Sequence, residues 1–360
     1  MVSHQPVRGY VVNDLINHLV QTKAAQDGVF DNQSLNGLDL SNAQFRTCSL
    51  RSADFSDSQL SKAVFVGCDL TGCNLTSADL SGAVFQGCTL DDAIATGVIT
   101  RETIFSQSSL LAADFRKGLL HETVFDRADL SSVSFFQADL SKVALLKTIV
   151  DKTDFTQANL WRANMSELDL KTAVFKGSSL VETYFEGSDL SGHTFEDCDL
   201  KSTIFHKSTL INAQFPSREL NAMYFSEANL TGANFTGAKI QQVSFESAVL
   251  DKSVFTGSKI ELSLFPKASM KEASFEGASI VQSVFSQAVA TSGNWKGVQI
   301  TQCELSKAVL DDSDFTEAHL KTVSMHDVSQ QKTIWEKATF THVVGTDLDR
   351  LAAENWIPAS

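Results

Sequence analysis

The chain has 360 residues, with 43 acidic and 29 basic side chains and a formal net charge of −14. This acidic balance argues against direct binding to nucleic acid or to an anionic membrane, and it leaves basic partners open. The longest apolar runs are far shorter than the ~20 residues that a membrane span needs. Residues 11–20 are interrupted by Asn, Asp and His, so they do not form the apolar core of a signal peptide. We therefore expect a cytoplasmic protein, with secretion through a route independent of a signal peptide left open.

The first predicted element is an amphipathic helix. Apolar residues recur at helical spacing through residues 10–26, and Gly28 ends the pattern. Residues 1–9 are expected to form a loose end of the chain. We therefore assign residues 1–29 to an N-terminal segment with a capping helix.

A repeat of five residues follows the helix. From Phe30 to Phe340, every fifth residue is large and apolar except Ala95, Thr100, Ala290 and Gln330. We call these residues the core positions, i. A period of five fits neither a helix nor a simple strand, but it is typical of a coil with short straight sides. Because side chains alternate along a strand, residue i and the small residue i−2 are predicted to point inward, and residues i−1, i+1 and i+2 to point outward or form corners.

Three residue types support this prediction. Of the 25 phenylalanines, 24 occupy core positions and 22 of these lie at odd multiples of five, whereas Leu or Ile fills most even multiples. Fourteen of the 19 glycines lie at i+2, as expected where a corner needs positive φ. All six cysteines lie at i−2, which predicts small buried thiols rather than a metal site: Cys48, Cys68, Cys73, Cys88, Cys198 and Cys303.

Several units have the form A-[DN]-L-x-x, at residues 78–80, 128–130, 138–140, 158–160 and 228–230. These units resemble the pentapeptide-repeat family, and the resemblance covers about 310 of the 360 residues. It implies an all-β fold, a right-handed quadrilateral parallel β-helix with 20 residues per coil. We assign residues 30–340 to this β-helix, with short helical segments at both termini. Residues 341–360 are assigned to C-terminal capping or dimerisation, since residues 346–349 resemble a capping box.

With four sides per coil, two opposite faces should stack Phe and the other two should stack Leu. We number the faces by their core positions: face 1 holds 45, 65 and 85, face 2 holds 50, 70 and 90, face 3 holds 55, 75 and 95, and face 4 holds 60, 80 and 100. At ~4.8 Å per coil the predicted rod is on the order of 75 Å long.

No catalytic chemistry is predicted. The sequence contains no phosphate loop, dinucleotide fingerprint or zinc spacing, so we expect no catalytic residue, no cofactor and no metal. Arg218 and His193 fall at inward i−2 positions, where a local packing exception is favoured over a functional site.

The outward positions of faces 2 and 3 carry about −6 and −5 charges, against about −1 each for faces 4 and 1. This acidic edge includes Asp54, Asp69, Asp114, Asp129, Asp154, Asp169, Asp189, Asp311, Asp312 and Asp314. Two interpretations stay open: Asp at i−1 belongs to the repeat itself, or the carboxylates imitate DNA phosphates for a basic groove.

A second surface feature is a row of apolar residues at the outward i−1 position of face 1. This outer stripe comprises Val64, Val84, Ile104, Val124, Tyr184, Ile204, Tyr224, Leu264 and Val284. It is interpreted equally well as ladder packing by β-branched residues and as a docking face for a protein partner or a second copy.

The sequence thus predicts a non-enzymatic protein-binding rod without direct nucleic-acid binding. Its resemblance to pentapeptide-repeat proteins of the Qnr and MfpA type implies a dimeric DNA mimic. The implied partner is a type II topoisomerase, DNA gyrase or topoisomerase IV, with an effect on quinolone or toxin sensitivity. The protruding loops of Qnr are absent. The alternative is an adaptor, effector or structural component of a bacterial secretion or toxin-delivery system.

Overall fold

The computed structural model of the protein describes residues 12–356. The loose end predicted for residues 1–9 and the start of the predicted helix lie outside this range. Helix α1 spans Val12–Thr22 and therefore ends four residues before the predicted boundary. The reason is local: Lys23 takes a positive φ of 55°, and the following residues, Ala24–Gln26, form a strand that pairs in parallel with residues 44–46.

The chain divides into two compact units. Unit 1 comprises the described residues up to Leu168 together with Thr172–Ser179, and unit 2 comprises Asp169–Lys171 and the residues from Leu180 onward. The strands of unit 1 are β1 (Ala24–Gln26), β2 (Gln44–Arg46), β3 (Val64–Val66), β4 (Val84–Gln86), β5 (Ile104–Ser106), β6 (Val124–Asp126) and β7 (Ala144–Leu146). The strands of unit 2 are β8 (Glu219–Asn221), β9 (Lys239–Gln241), β10 (Lys259–Glu261), β11 (Ser279–Val281), β12 (Gln299–Thr301), β13 (His319–Lys321) and β14 (Thr339–Thr341), and helix α2 spans Leu348–Glu354.

Each unit holds one parallel sheet of seven strands in sequence order, β1 to β7 in unit 1 and β8 to β14 in unit 2. Strands pair at a constant offset of 20 residues, as Val64 pairs with Val84 and Phe65 with Phe85. Isolated parallel bridges with the same offset follow the other sides of the coil, for example between residues 49 and 69, 54 and 74, and 59 and 79. The fold is therefore the predicted parallel β-helix with four sides and 20 residues per coil. The three-residue strands lie on face 1 in unit 1 and on face 4 in unit 2.

Phenylalanine rings fill two opposite sides of the interior, as predicted. The ring of Phe65 stacks on those of Phe45 and Phe85 with centroids 4.6 Å apart and planes within 1°. It also meets Phe55 of the opposite face edge-on, at 6.4 Å and 90°. These rings are completely buried. Stacked and edge-to-face pairs each add about 0.5–1.5 kcal/mol to the burial of the rings, so the core favours like residues one coil apart.

Most corners follow one hydrogen-bonding rule. The carbonyl of core residue i accepts the N–H of residue i+3, as from Ala53 to Leu50 at 3.1 Å. Residue i+2 then takes a positive φ, for example 50° at Ser52. All fourteen glycines predicted at i+2 have positive φ. The requirement extends far beyond glycine, because Lys, Glu, Gln, Asp and Ser adopt the same conformation at other corners.

The corners that follow the three-residue strands close differently. Beside the strands of unit 2, the N–H of Val243 donates to the hydroxyl of Ser263 at 3.2 Å, and the N–H of Ser263 donates to that of Ser283 at 3.1 Å. The N–H of Ser283 in turn lies 3.4 Å from Cys303 Sγ. A small polar side chain at i−2 thus accepts the N–H of the preceding coil. The six cysteines are buried and none is in a disulfide, which agrees with the structural thiols predicted above.

Two adjacent phenylalanines test the inward and outward assignment. Phe135 is completely buried and stacks on Phe155 at 5.4 Å, whereas Phe136 lies half-buried at an outer corner. We expect Phe135→Ala to lower the free energy of unfolding by about 3–5 kcal/mol, because it leaves a cavity between stacked rings. The matched change Phe136→Ala should cost less than about 1 kcal/mol. Urea unfolding followed by far-UV circular dichroism measures both, and equal destabilisation would contradict the assignment.

Candidate protein-binding faces

The outer stripe lies where the sequence predicts it, on the solvent side of the Phe ladder of face 1. In unit 1, Val64, Val84, Ile104 and Val124 are directly paired neighbours on β3 to β6. Ile104 is 40% exposed, and the three valines are half-buried by their neighbours. The stripe in unit 1 is therefore one continuous row of neighbours on one sheet.

In unit 2 the stripe residues are joined by isolated bridges rather than by extended strands. Tyr184, Ile204 and Tyr224 occupy successive coils, and the two tyrosines are 42% and 50% exposed. Ser244 interrupts the row before Leu264, which is 45% exposed, and Val284, which is half-buried. The unit 2 part of the stripe is thus more exposed and less regular than the unit 1 part.

Each aspartate of the acidic edge that occupies position i−1 has a structural function in its coil. The carboxylate of such an aspartate accepts the backbone N–H of residue i+1, which lies at the corner. This bond is made by Asp54, Asp69, Asp114, Asp129, Asp154, Asp169, Asp189 and Asp314, at 2.9–3.3 Å. Asparagine makes the same bond at Asn74, Asn229 and Asn234. A hydrogen-bond acceptor, rather than a negative charge, is what the corner needs.

Asp311 satisfies the same need from the neighbouring coil. It follows a core position, and its Oδ1 accepts the Gln331 N–H at 2.7 Å and the Ser329 hydroxyl at 2.7 Å. Residue 329 occupies the i−1 position of the next coil, where serine stands in place of the usual aspartate. The carboxylate of Asp311 therefore replaces the missing acceptor, and this explains one member of the acidic cluster at residues 311–314.

Six of the ten edge carboxylates have a basic partner, which reduces their net field. Ion pairs join Asp69 to Arg51, Asp114 to Arg116, Asp169 and Asp189 to Lys171, Asp312 to Lys332 and Asp314 to Lys296. The bidentate contact of Arg116 and its N–H hold the pKa of Asp114 below its ordinary value, although burial opposes the shift. Asp54, Asp129 and Asp154 form no ion pair with a described residue.

The C-terminal end of unit 2, for which the sequence analysis left capping and dimerisation open, is an exposed apolar surface. Phe340 occupies a core position in the last coil but is 50% exposed, and Val344 is 64% exposed. At the opposite end of the chain, the core residues of the first coil are buried, with Phe30 at 1% and Leu35 at 0% exposure, and Leu19 of α1 is also buried. The last coil thus exposes its interior and an unpaired strand edge.

Helix α2 lies beside the coils instead of closing this end. Its N-cap is Asp347, one residue later than the predicted capping box, and the carboxylate of Asp347 accepts the N–H groups of residues 349 and 350. The Asp347 N–H donates to Nδ1 of the buried His326 at 3.2 Å. At the other end of α2, Glu354 Oε2 lies 2.7 Å from Lys307 Nζ, and this contact together with Arg350 lowers the pKa of Glu354 to about 2.

Polar contacts therefore hold α2 in place, with Leu351 half-buried. Leu348 is 74% exposed and Trp356, just beyond the helix, is 71% exposed. No residue of α2 is buried.

Arg218 and His193 are both held by backbone carbonyls of the coil before them. Arg218 Nη2 donates to the carbonyl of Cys198, and His193 Nε2 donates to the carbonyl of Leu170 at 2.8 Å. Burial lowers the pKa of His193, although its bond to Leu170 opposes the shift. Phe195, between them in sequence, is buried with a positive φ of 46°, unusual for a bulky residue. The geometry supports the packing interpretation for both side chains.

Within residues 12–356, no three His, Cys, Asp or Glu side chains converge in an arrangement that could hold a metal ion. None of the helices in that range is long and apolar enough to cross a membrane.

Comparison with protein families agrees with this geometry. The family model described as "Pentapeptide repeat region" matches residues 38–115 and 188–265. A second family model, "Pentapeptide repeats (8 copies)", matches residues 153–192. Together these matches cover more than half of the chain. The chain belongs to the pentapeptide-repeat family. No curated protein matches it.

Three solved structures illustrate the similarity. HetL, a pentapeptide-repeat protein involved in heterocyst differentiation regulation from the cyanobacterium Nostoc, is 20% identical, over 74% of this chain and 97% of its own, with a TM-score of 0.23. QnrB1, a plasmid-mediated fluoroquinolone resistance protein, is 20% identical over 52% of this chain and 91% of its own, with a TM-score of 0.33. A pentapeptide-repeat protein from the Arabidopsis thaliana thylakoid lumen is 18% identical over 37% of this chain and 68% of its own, with a TM-score of 0.14. At these TM-scores the likenesses carry no argument about function.

Proposed function

We propose that this pentapeptide-repeat protein is a non-enzymatic binding protein that acts through its outer faces. The observation that carries the proposal is the outer stripe, a row of large apolar side chains that points away from a core already filled by Phe and Leu. The ladder itself needs β-branched residues, but it does not need Tyr184, Tyr224 and Leu264, which are 42–50% exposed. Exposed apolar rows of this kind mark surfaces that meet a partner.

We propose a type II topoisomerase, DNA gyrase or topoisomerase IV, as the partner to test first. The family resemblance to Qnr- and MfpA-type proteins motivates this choice, and the acidic edge supports it. Asp54, Asp129 and Asp154 each hold Oδ1 against the backbone, while Oδ2 accepts no hydrogen bond from a described residue. These carboxylates are ordered before any partner arrives, which reduces the entropy lost on binding to a basic groove.

A gyrase supercoiling assay, with and without a quinolone, tests this partner. We expect the wild-type protein to inhibit or protect the enzyme. The triple variant Asp54→Asn/Asp129→Asn/Asp154→Asn should act at least ~10-fold more weakly, because the charges are lost. Asparagine keeps the corner hydrogen bond, as Asn74 and Asn229 show, so the variant should melt close to the wild-type temperature. If even a large excess of wild-type protein leaves supercoiling and quinolone sensitivity unchanged, the topoisomerase proposal is wrong.

We also propose that the C-terminal end joins two copies of the chain. Phe340, Val344, Leu348 and Trp356 are each at least 50% exposed there, whereas the core of the first coil is buried. If the C-terminal end of one copy meets that of a second about a two-fold axis, the pairing closes after two copies and does not propagate into a filament.

Light scattering over a range of concentrations tests the dimer. Leu348→Ser/Trp356→Ser should convert a dimer to a monomer without unfolding, since both side chains are more than 70% exposed. The control Tyr184→Ser/Tyr224→Ser, on face 1, should stay dimeric. A wild-type protein that is monomeric at high micromolar concentration would contradict the proposal, as would a Leu348/Trp356 variant that stays dimeric.

A further inference from the structure

We call the outer surface of the unit 1 sheet the unit 1 sheet face. Two rows of outward side chains run along strands β2 to β7, one row before and one row after the buried core positions. Six members are large and apolar: Val64, Val66, Val84, Ile104, Val124 and Leu146. At ~4.8 Å between strands, six strands span about 24 Å. The row before the core positions supplies four of these residues, whereas the row after them supplies only Val66 and Leu146 and is otherwise polar. Within this part of the chain, the apolar surface is therefore the outer stripe widened by two residues.

The net charge around this face has the opposite sign to the net charge of the whole chain. The outward residues of β2 to β7 and the corners on either side of these strands carry six basic and three acidic side chains. The basic ones are Arg46, Lys62, Arg101, Arg127, Lys142 and Lys147, all exposed. The local net charge is thus +3, in a chain whose total is −14.

Much of this positive charge is available to a partner. Of the three acidic residues, Glu122 pairs with Lys142 at 2.8 Å and Asp126 lies 3.8 Å from Arg127. Glu102 is exposed. Arg46, Lys62 and Lys147 form no ion pair with a described residue.

The corresponding surface of unit 2 lacks this combination. The outward residues of β8 to β13 include Glu219, Lys239, Lys259, Gln299 and His319, so that sheet is polar. The unit 2 part of the outer stripe is apolar, but acidic residues at 186, 227 and 246 accompany it. An apolar sheet with a basic rim is a feature of unit 1.

We propose that the unit 1 sheet face docks a protein segment with an apolar centre and acidic flanks, in the form of an amphipathic helix of about 16 residues. That length covers the ~24 Å of the six strands at 1.5 Å per residue. The apolar residues of the unit 1 sheet face would meet the apolar face of the helix. The basic rim would orient the segment and speed its association. This inference rests on the proposed protein-binding function and specifies the chemistry of the partner.

Two other occupants fit the face less well. Nucleic acid would place charged phosphates next to the apolar residues of the face. The face also has no row of aromatic side chains on which bases could stack. An anionic bilayer is bound by side chains that reach into the interface. Here the valines are half-buried between neighbouring strands and cannot insert.

The test uses the full chain and a fluorescein-labelled peptide of about 16 residues, with Leu on one helical face and Glu on both flanks. A matched peptide carries Lys in place of each Glu. Fluorescence anisotropy should show the Glu peptide binding at least ~10-fold more tightly than the Lys peptide, and losing affinity as salt rises. Lys62→Glu/Lys147→Glu should reverse the preference, and Ile104→Ser/Leu146→Ser should weaken both peptides. The matched charge reversal on the unit 2 sheet, Lys239→Glu/Lys259→Glu, changes two exposed lysines outside the unit 1 sheet face and should bind like the wild type.

Several results would overturn the proposal: equal affinity for the two peptides, no effect of the charge reversal, or tighter binding to duplex DNA or to phosphatidylserine vesicles than to the Glu peptide. Circular dichroism melts show whether each variant is folded before it is scored. Failure of this proposal can be told apart from failure of the topoisomerase proposal, because the triple asparagine variant of the supercoiling assay leaves the unit 1 sheet face intact. Binding of the Glu peptide without an effect on gyrase would reject the topoisomerase proposal and keep this one.

Discussion

The stacking of each residue on the residue 20 positions later is the constraint on which the rest of the structure depends. It places Phe65 between Phe45 and Phe85 with parallel rings, and it sends backbone N–H groups to carbonyls of the next coil, as from Leu50 to Asp69 at 2.7 Å. A buried backbone group without a partner costs free energy comparable to a lost hydrogen bond. The coil can therefore tolerate many substitutions at its outer positions, but not a change of register.

This constraint also distinguishes the residues that the coil needs for its structure from those that it does not need. Inward positions are filled, and the aspartates at i−1 satisfy corner N–H groups that the coil leaves open. A carboxylate such as Asp129 can serve both purposes, because Oδ1 binds the corner and Oδ2 faces outward. Charge alone is consequently a poor guide to function here. The informative features are those that the coil does not need: the exposed tyrosines of the outer stripe, the open C-terminal end and the basic rim of unit 1.

The sequence predicted the fold because the fold repeats one local rule. Period five, the alternation of Phe and Leu, and glycine at i+2 each report the same geometry, so they reinforce one another. The end of α1 was mispredicted, because pairing of Ala24–Gln26 with β2 overrides the apolar pattern that continues to residue 26. The Asp347 N–H at the start of α2 donates to His326, which lies one coil earlier. Neither tertiary contact has a local signal.

The candidate faces were only partly predictable for a similar reason. The stripe follows directly from counting by 20, but exposure does not, and neighbours half-bury Val64 and Val84. Lys171 pairs with Asp169 in its own coil and with Asp189 in the next, and such ion pairs reduce the acidity that a sum over faces suggests. The basic rim is invisible in the net charge of any one face, because its residues divide between faces 1 and 4 and acidic residues elsewhere on these faces offset them.

The most direct test of the account compares two insertions in unit 2. Duplicating residues 241–260 adds one full coil and keeps like residues stacked. Duplicating residues 241–245 keeps the five-residue pattern but rotates the later chain by one face, so that Phe meets Leu or Ile at all four core positions of the coil that crosses the insertion. The account predicts that the 20-residue duplication leaves the urea midpoint of unfolding close to that of the wild type. The shorter, five-residue duplication should lower it clearly. Equal midpoints for the two variants would contradict the claim that stacking at the 20-residue offset, rather than the local five-residue pattern, determines this structure.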